Sequence, residues 1–374
     1  MAELKLPISH YFNQTNGARF ADFAGWKMPT FYTSIIEEHK ATREHIGIFD
    51  VSHMGRWLVS GKESLDFLND LVTNDLEPLF AGSGIYTAML NEEGGIIDDL
   101  IIYKIGDEEF MLVNNAGNHD IDTAWYEKQI ENYDAEMIDM TEVWGQIAVQ
   151  GPMAKQVLEQ LLGIDEPLEY FGFGVVDCDD DTEEPLIIAA TGYTGEEGYE
   201  LYGDPDILMD IWEDLIDEHD ATPCGLGSRD LLRLEAGYCL HGNDIDIKTT
   251  PYEAGLSWVT KMDKEDFIGK SAATRKDKKL IGLAFPEGDK IIPRSHTKVL
   301  NEAGEEIGEV TSGNFSSMLN RAIALAYIKP EYEDAQVKVS IRNKESIAQV
   351  GKPWFYRNIG KKQVQEFKSS AIVS

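Results

Sequence analysis

Two aspartates stand side by side inside an otherwise apolar stretch, residues 94–103 (GGIIDDLIIY), and this stretch constrains the fold more than any other. Around it the chain reads as an apolar run at 85–90, a turn at 91–95 (NEEGG), a second run at 96–104, a turn at 106–109 and a third run at 110–113. Apolar runs separated by Gly-rich turns make a β-meander. Carboxylates in the middle of such a strand are costly unless they are paired, hydrated or put to use. The competing reading is a bulge or an edge strand with solvated carboxylates. Strand alternation groups Asp99 with Ile97, Ile101 and Tyr103, and Asp98 with Ile96, Leu100 and Ile102. Both faces are apolar, so alternation alone does not choose between the carboxylates.

At 374 residues the chain is too long for one ordinary core, and at 43% hydrophobic it can bury two or three. Its net charge of −34 repels phosphate backbones and anionic lipid heads, which argues against a nucleic-acid or membrane-surface partner. The acidity reflects either a salty habitat or solubility alone. Cys178, Cys224 and Cys239 form no CxxC, so neither a disulfide framework nor a cysteine zinc site is expected. That fits a reducing compartment. With no apolar leader and no run long enough to span a bilayer, the sequence reads as a soluble cytoplasmic protein.

Residues 1–50 read as loop and helix. Ser34 with Glu37 three residues on marks a helix start at 34–43 by a capping box. An amphipathic stretch at 151–162 follows the meander. A strand at 172–176, an acidic run at 177–184 and a strand at 186–190 come next. Ile207, Ile211 and Leu215 predict an amphipathic helix over 205–219. Another helix is expected over 228–237 with Ser228 as N-cap. A charged segment, 261–279, then leads into short strands with turns such as 301–304, a small β-domain or barrel. The expected division is 1–275, two intertwined α+β subdomains with the meander near 55–140 forming one, and a β-rich 276–374.

Several signatures can be excluded. The third glycine of a dinucleotide fingerprint would fall on Thr87, Asp177 or Asp230. Gly269-Lys270-Ser271 ends like a phosphate loop, but its first glycine position is Lys264. The acidic run has calcium-loop spacing but places Thr182 at the turn and Ile188 at the twelfth position. Neither HExxH nor GxSxG occurs, and no metal site is expected.

Other polar clusters remain. In residues 191–200 (TGYTGEEGYE), glycines form a tight loop, Tyr193 and Tyr199 offer flat faces, and Glu200 could accept two hydrogen bonds from an amidine-like edge. An ordinary glycine turn is the competing reading. Arg229 sits in the first turn of its helix, where the dipole disfavours a cation. It pairs either with an anionic ligand or with Asp230 or Glu235. Residues 49–55 (FDVSHMG) bring Asp50, His53 and Met54 near the meander; a lone histidine is more often structural than a base. Residues 243–258 read as a polar loop with Asp244, Asp246 and Glu253, closed by a packing Trp258.

FADFAGWKMP (20–29), FDVSHMG (49–55), NEEGGIIDDLIIYK (91–104), QGP (150–152), GYTGEEGYE (192–200), GLGSRDLLRLEAG (225–237) and GNDID with TTPYEAGLSW (242–258) occur in that order. Together they resemble the glycine cleavage T-protein family, the tetrahydrofolate-dependent aminomethyltransferases. GEVTSGNFS (308–316) and KPWFYR (352–357) resemble the family's C-terminal part, so the likeness runs over nearly the whole chain.

The resemblance implies an α+β, multi-domain cloverleaf of mixed sheets and helices around a central folate cavity, with a C-terminal barrel-like domain. It implies transfer of the methylene of an aminomethyl group from the lipoyl arm of H-protein to tetrahydrofolate. Ammonia is released and 5,10-methylenetetrahydrofolate forms. It assigns catalysis to Asp99, a carboxylate suited to a cationic, iminium-like species and to an amine proton. It assigns pterin contact to Glu200 and folate grip to Arg229, and lines the pocket with Tyr86, Tyr103, Asn115 and Tyr193, with Met54 nearby. An aromatic slot suits flat rings. Two other readings use the same scaffold. One is a folate-dependent demethylase of a methylated amine or sulfonium. The other is a non-catalytic folate binder of iron–sulfur assembly, whose KGC-type signature with Gly-Gln-Glu is absent here. Some family members use a C-terminal tyrosine near folate; the tail here, EFKSSAIVS, has no clear equivalent.

Overall fold

A computed structural model of the chain describes residues 3–176, 185–288, 290–333, 335–341, 344–359 and 363–365. The acidic run at 177–184, with Cys178, and the tail at 366–374 lie outside the described residues.

The chain begins with α1 (His10–Thr15), β1 (Arg19–Phe23), β2 (Trp26–Phe31), α2 (Ile35–Glu44), β3 (Gly47–Asp50), β4 (Gly55–Ser60) and α3 (Ser64–Leu71). The expected meander follows as β5 (Ser83–Leu90), β6 (Ile96–Gly106) and β7 (Glu109–Asn114). Then come α4 (His119–Ile130), β8 (Glu136–Asp139), β9 (Gly145–Gln150), α5 (Ala154–Leu161), β10 (Phe173–Val176), β11 (Leu186–Ala189), β12 (Gly198–Gly203), α6 (Pro205–His219), β13 (Thr222–Pro223) and α7 (Leu226–Ala236). The last part holds β14 (Lys279–Ala284), β15 (Lys298–Leu300), β16 (Glu306–Ser316), β17 (Arg321–Ile328), β18 (Gln336–Ile341) and β19 (Lys344–Gly351).

These strands build three units. The first is a five-stranded sheet in the order β5-β6-β7-β4-β8. Phe67, Leu68 and Leu71 of α3 and Tyr126 of α4 cover one of its faces, against Trp57, Met89, Leu100, Ile102, Phe110 and Leu112. The second is a six-stranded sheet, β10-β11-β12-β9-β3-β13. Leu158 of α5 and Leu208, Trp212 and Leu215 of α6 cover it in the same way. The third is a closed barrel, β14-β17-β16-β15-β18-β19, which realises the expected C-terminal β-unit. The two open sheets meet through their other faces: Tyr103, Met111 and Val113 of the first pack on Phe173, Ile187, Ala189 and Tyr202 of the second. Gly84, opposite Tyr103, makes that possible, because a Cβ there would lie 2.4 Å from the tyrosine ring.

α7 stands where the three units join. Leu232 packs with Phe49 and Ala148 of the second sheet, while Leu234 packs with Ala88 and Ile96 of the first and Leu325 of the barrel. Two of its charged side chains, Arg233 and Glu235, are matched from several sides. Arg233 reaches Asp244 at 2.5 Å, Asp230 at 2.7 Å and Ser312 of the barrel at 2.9 Å. Glu235 takes Arg43 at 2.7 Å, His39 at 2.8 Å and Ser316 of the barrel at 2.6 Å.

Local sequence rules explain several helix ends. Ser34 caps α2 by accepting from the Glu37 amide at 3.1 Å, as its spacing predicts. Asp204 caps α6 just before Pro205. Two expectations are corrected. The first fifty residues hold the hairpin β1–β2 and the strand β3 as well as helix. And α7 is capped at Gly225, not Ser228. Glu38 of α2 replaces a local cap: its Oε2 accepts from Gly225 N at 2.9 Å and from the Ser228 hydroxyl at 3.1 Å. Such a carboxylate offsets the positive helix end. The chain must approach β2 closely to allow it, and a Cβ on Gly225 would lie 2.4 Å from the Thr30 backbone.

Candidate active site

The aspartate pair lies on an interior strand, not an edge, and its placement is set by a bulge. Leu90 pairs with Ile96 but Met89 pairs with Asp98, so Ile97 is an extra residue on β6. The alternation read from sequence is therefore broken. Ile96 packs with Ala88 and Leu90, whereas Ile97 joins Met89, Leu100 and Ile102. Asp99 faces the Ala88 side and Asp98 the Met89 side.

Asp99 is half-buried. Its Oδ2 accepts from the Tyr86 hydroxyl at 2.8 Å and its Oδ1 from Asn115 Nδ2 at 2.9 Å. Burial pushes its carboxyl up from the usual range, opposed by the Tyr86 hydrogen bond, His241 and Asn115. Asp98 is fully buried and takes three N–H donors, Asn115 N at 2.9 Å, Asn115 Nδ2 at 2.8 Å and Asn118 Nδ2 at 3.1 Å. Asn118 Nδ2 also lies 2.9 Å from His241 Nδ1. His241 Nε2 is 3.3 Å from the Ile96 carbonyl, so Nε2 is the ring nitrogen placed to carry the proton.

Glu200 is buried on β12 and anchored in a second hydrogen-bond chain. Its Oε2 accepts from the Thr191 hydroxyl at 2.7 Å, and that hydroxyl lies 2.8 Å from Tyr103 OH. Its Oε1 lies 3.4 Å from Gln146 Nε2. Tyr103 is fully buried and stacks on Phe173 with ring centres 5.0 Å apart. Met54 is half-buried between the Tyr103 cluster and that of Phe49.

Arg229 lies over the Tyr193 ring at 4.8 Å, a cation–π contact. The two carboxylates that could have neutralised it are committed elsewhere: Asp230 to Arg233, Glu235 to Arg43 and His39. Among the described residues Arg229 has no ion pair, and its Nη1 is buried without a hydrogen-bond partner. Burial lowers its pKa, and Glu200, Tyr193 and Tyr202 oppose this. Tyr193 in turn donates to the Cys239 carbonyl at 2.5 Å and feels the charge of Asp99. The candidate residues thus form three hydrogen-bonded or stacked groups whose charges act on one another. His53 also faces Arg229; burial, then Arg229 and Arg56, push it down to about 3, so it is a neutral side chain at physiological pH.

Trp258 is not the packing residue its sequence context suggested. It is 58% exposed, and its ring stacks on Tyr86 at 5.8 Å. Thr191, Gln146, Asn118, His241 and Asp122 also belong to the site's support and were not singled out from sequence. Asn118 and Asp122 carried a usable signal, standing four residues apart, Asn118 at the N-cap of α4 and Asp122 in its first turn.

Comparisons with known proteins bear on the family of the chain. Residues 9–264 match the GCVT N-terminal domain, and residues 278–357 match the glycine cleavage T-protein C-terminal barrel domain. The aminomethyltransferase of Thermotoga neapolitana is 41% identical over 350 residues, covering 91% of this chain and 94% of the relative. That of Thermosipho melanesiensis is 44% identical over 348 residues, covering 91% and 94%. The crystal structure of glycine cleavage system aminomethyltransferase T from Bartonella henselae superposes with a TM-score of 0.85 at 32% identity, covering 92% of this chain and 96% of that one. Among the described residues no helix is long and apolar enough to cross a membrane. With both domain matches in sequence order and relatives above 40% identity over most of its length, the chain belongs to the glycine cleavage T-protein family and is an aminomethyltransferase.

Proposed function

We propose that the chain transfers the methylene of an aminomethyl group, carried on the lipoyl arm of H-protein, to tetrahydrofolate, releasing ammonia and forming 5,10-methylenetetrahydrofolate. The observation that carries this reading is the Asp99 carboxylate, half-buried and held on both oxygens by Tyr86 and Asn115. Such a fixed anion stabilises positive charge developing on a methylene and holds an amine proton without reorganising.

The remaining residues fit the co-substrate. The buried, unpartnered Nη1 of Arg229 is a donor in want of an anion, and the glutamyl carboxylate of a folate supplies one. Glu200, fixed by Thr191 and Gln146, keeps lone pairs for the amino edge of a pterin. Tyr86, Trp258 and Tyr193 offer flat surfaces for its rings. Tetrahydrofolate, when bound, supplies the nucleophilic nitrogen that accepts the carbon. Tyr103 acts indirectly, through Thr191, by orienting Glu200.

The test is direct. Purified protein mixed with aminomethyl-loaded H-protein and tetrahydrofolate should release ammonia in step with methylenetetrahydrofolate. Turnover of a methylated amine or sulfonium in place of loaded H-protein would favour the demethylase reading and reject this one.

A further inference from the structure

One extra residue in β6 decides which aspartate faces the Ala88 side. Leu90 stands opposite Ile96, and Met89 opposite Asp98. Regular antiparallel pairing carried on from Leu90 would instead set Ile97 opposite Met89 and Asp98 opposite Ala88. Asp98 would then take the side on which Tyr86 donates, and Asp99 would lose it. The bulge therefore chooses between two adjacent carboxylates.

A bulge takes backbone groups out of the ladder, and buried ones need partners elsewhere. Two side chains supply them. His241, in the loop after α7, lies with Nε2 3.3 Å from the Ile96 carbonyl. Asn118, at the N-cap of α4, donates from Nδ2 to the Ile97 carbonyl at 2.7 Å. The two side chains are joined: Asn118 Nδ2 lies 2.9 Å from His241 Nδ1 and 3.1 Å from Asp98 Oδ1. The orientation of both follows. A turned Asn118 amide would set its oxygen against a carbonyl and a carboxylate, so its nitrogen faces them. His241 Nδ1 must then be bare and accept, and Nε2 carries the proton that the Ile96 carbonyl receives.

The loop that carries His241 is itself fixed on two sides. Ile96 N donates to its Asp246 and Thr249 carbonyls at 3.1 and 3.0 Å. Asp244 ties it to Arg233 of α7 at 2.5 Å and to Ser312 of the barrel at 2.8 Å.

We propose that His241 and Asn118 are positioning residues that clamp the two carbonyls of the Ile97 bulge and thereby present Asp99, rather than Asp98, at the reaction site. The proposal rests on the role given to Asp99 above. Without the clamp the bulge carbonyls lose their side-chain donors, and the β5–β6 pairing on which the face of Asp99 depends is loosened.

Nitrogen NMR of histidine-labelled wild type at neutral pH, with H241Q to assign the signal, reads the first requirement. His241 should be in one neutral form, protonated at Nε2 and bare at Nδ1; a proton on Nδ1 overturns the proposal. Turnover reads the second. H241L keeps bulk but neither donates nor accepts, and should lose about 10- to 100-fold in kcat, since misplacing a reacting group by about 1 Å costs about 100-fold. Its tetrahydrofolate affinity should be kept. H241Q retains a donor and an acceptor and should recover most of the loss. Wild-type kcat in H241L, or equal damage in H241Q and H241L, overturns the positioning role. A double-mutant cycle reads the third. D99N should cost fewer fold in the H241L background than in wild type, because the carboxylate it removes is already misplaced; an equal cost in both overturns the proposal. If H241L does not fold, the form of the His241 ring in wild type decides. D99N in the wild-type background separates the two readings. If it turns over like wild type, the reading of Asp99 itself has failed. If it is inactive and H241L is not, only the positioning role is lost.

Discussion

Tyr86 donates to Asp99 across β5 and β6 on a diagonal: Tyr86 stands opposite Ile101, and Asp99 stands opposite Ala88. The small Ala88 leaves the carboxylate open to the tyrosine two residues away, a reach that diagonal cross-strand pairs allow. The hydroxyl stabilises the ionised carboxylate and so lowers a pKa that burial raises. Tyr86→Phe removes the donor and should move the acidic limb of the kcat–pH profile to higher pH. A limb unchanged in Tyr86→Phe would show that Asp99 does not govern it.

The two aspartates should respond differently to the same change. Asp99→Asn should fold, bind tetrahydrofolate and lose about 10²–10³ in turnover, the effect of removing one placed electrostatic group. Asp98→Asn should lose less turnover but more stability. Its amide would present N–H groups to donors already aimed at an acceptor, and a buried unsatisfied group costs about 1–3 kcal/mol. Steady-state rates together with thermal melts separate the two, and a more active Asp99→Asn than Asp98→Asn would reverse the assignment.

Arg229→Ala should weaken tetrahydrofolate binding more than tenfold while leaving the melting temperature close to wild type. Loss of one partner in a desolvated charge pair costs about 2–5 kcal/mol in a complex. Among the described residues Arg229 has no ion pair to lose in the free protein, which is why folding is spared. Titration calorimetry with wild-type affinity for the variant would remove Arg229 from the site.

Glu235 should give the opposite pattern, a stability effect with little on binding. Its pKa is lowered from 4.5; burial acts against this, but His39, Arg43 and Ser316 outweigh it. A carboxylate held below its unfolded value contributes stability that is present above that value and lost as pH falls through the folded one. Glu235→Gln should therefore lower the melting temperature at neutral pH and flatten its fall below about pH 4.5. Breaking such a buried pair costs about 3–5 kcal/mol. Parallel melting curves of wild type and variant across the acid range would contradict this.

The sequence showed the meander, the amphipathic helices and the barrel because each rests on local periodicity and turn chemistry. It did not show the face of each aspartate. Alternation is a local rule, and the extra residue at Ile97 is defined only by the partner strand, at Met89 and Leu90. The cap of α7 was misplaced for a similar reason: Ser228 fits the local pattern, but the acceptor comes from Glu38, distant in sequence. Arg229 was legible as a cation out of place, yet its lack of an ion pair follows from where Arg233, Arg43 and His39 lead its neighbours. Asp122 gave no signal on its own, since a helix start is an ordinary place for an aspartate.

The position of α7 also sets an order of events during synthesis. Glu235 meets Ser316 across a sequence separation of 81, and Arg233 meets Ser312 across 79. At about 5–20 residues per second, translation leaves about 4–16 s in which the helix exists and its barrel-side partners do not. During that interval the barrel-facing atoms of Arg233 and Glu235 have only water in place of Ser312 and Ser316. The nascent chain can assemble its two open sheets first, and the later arrival of β16 dries the junction.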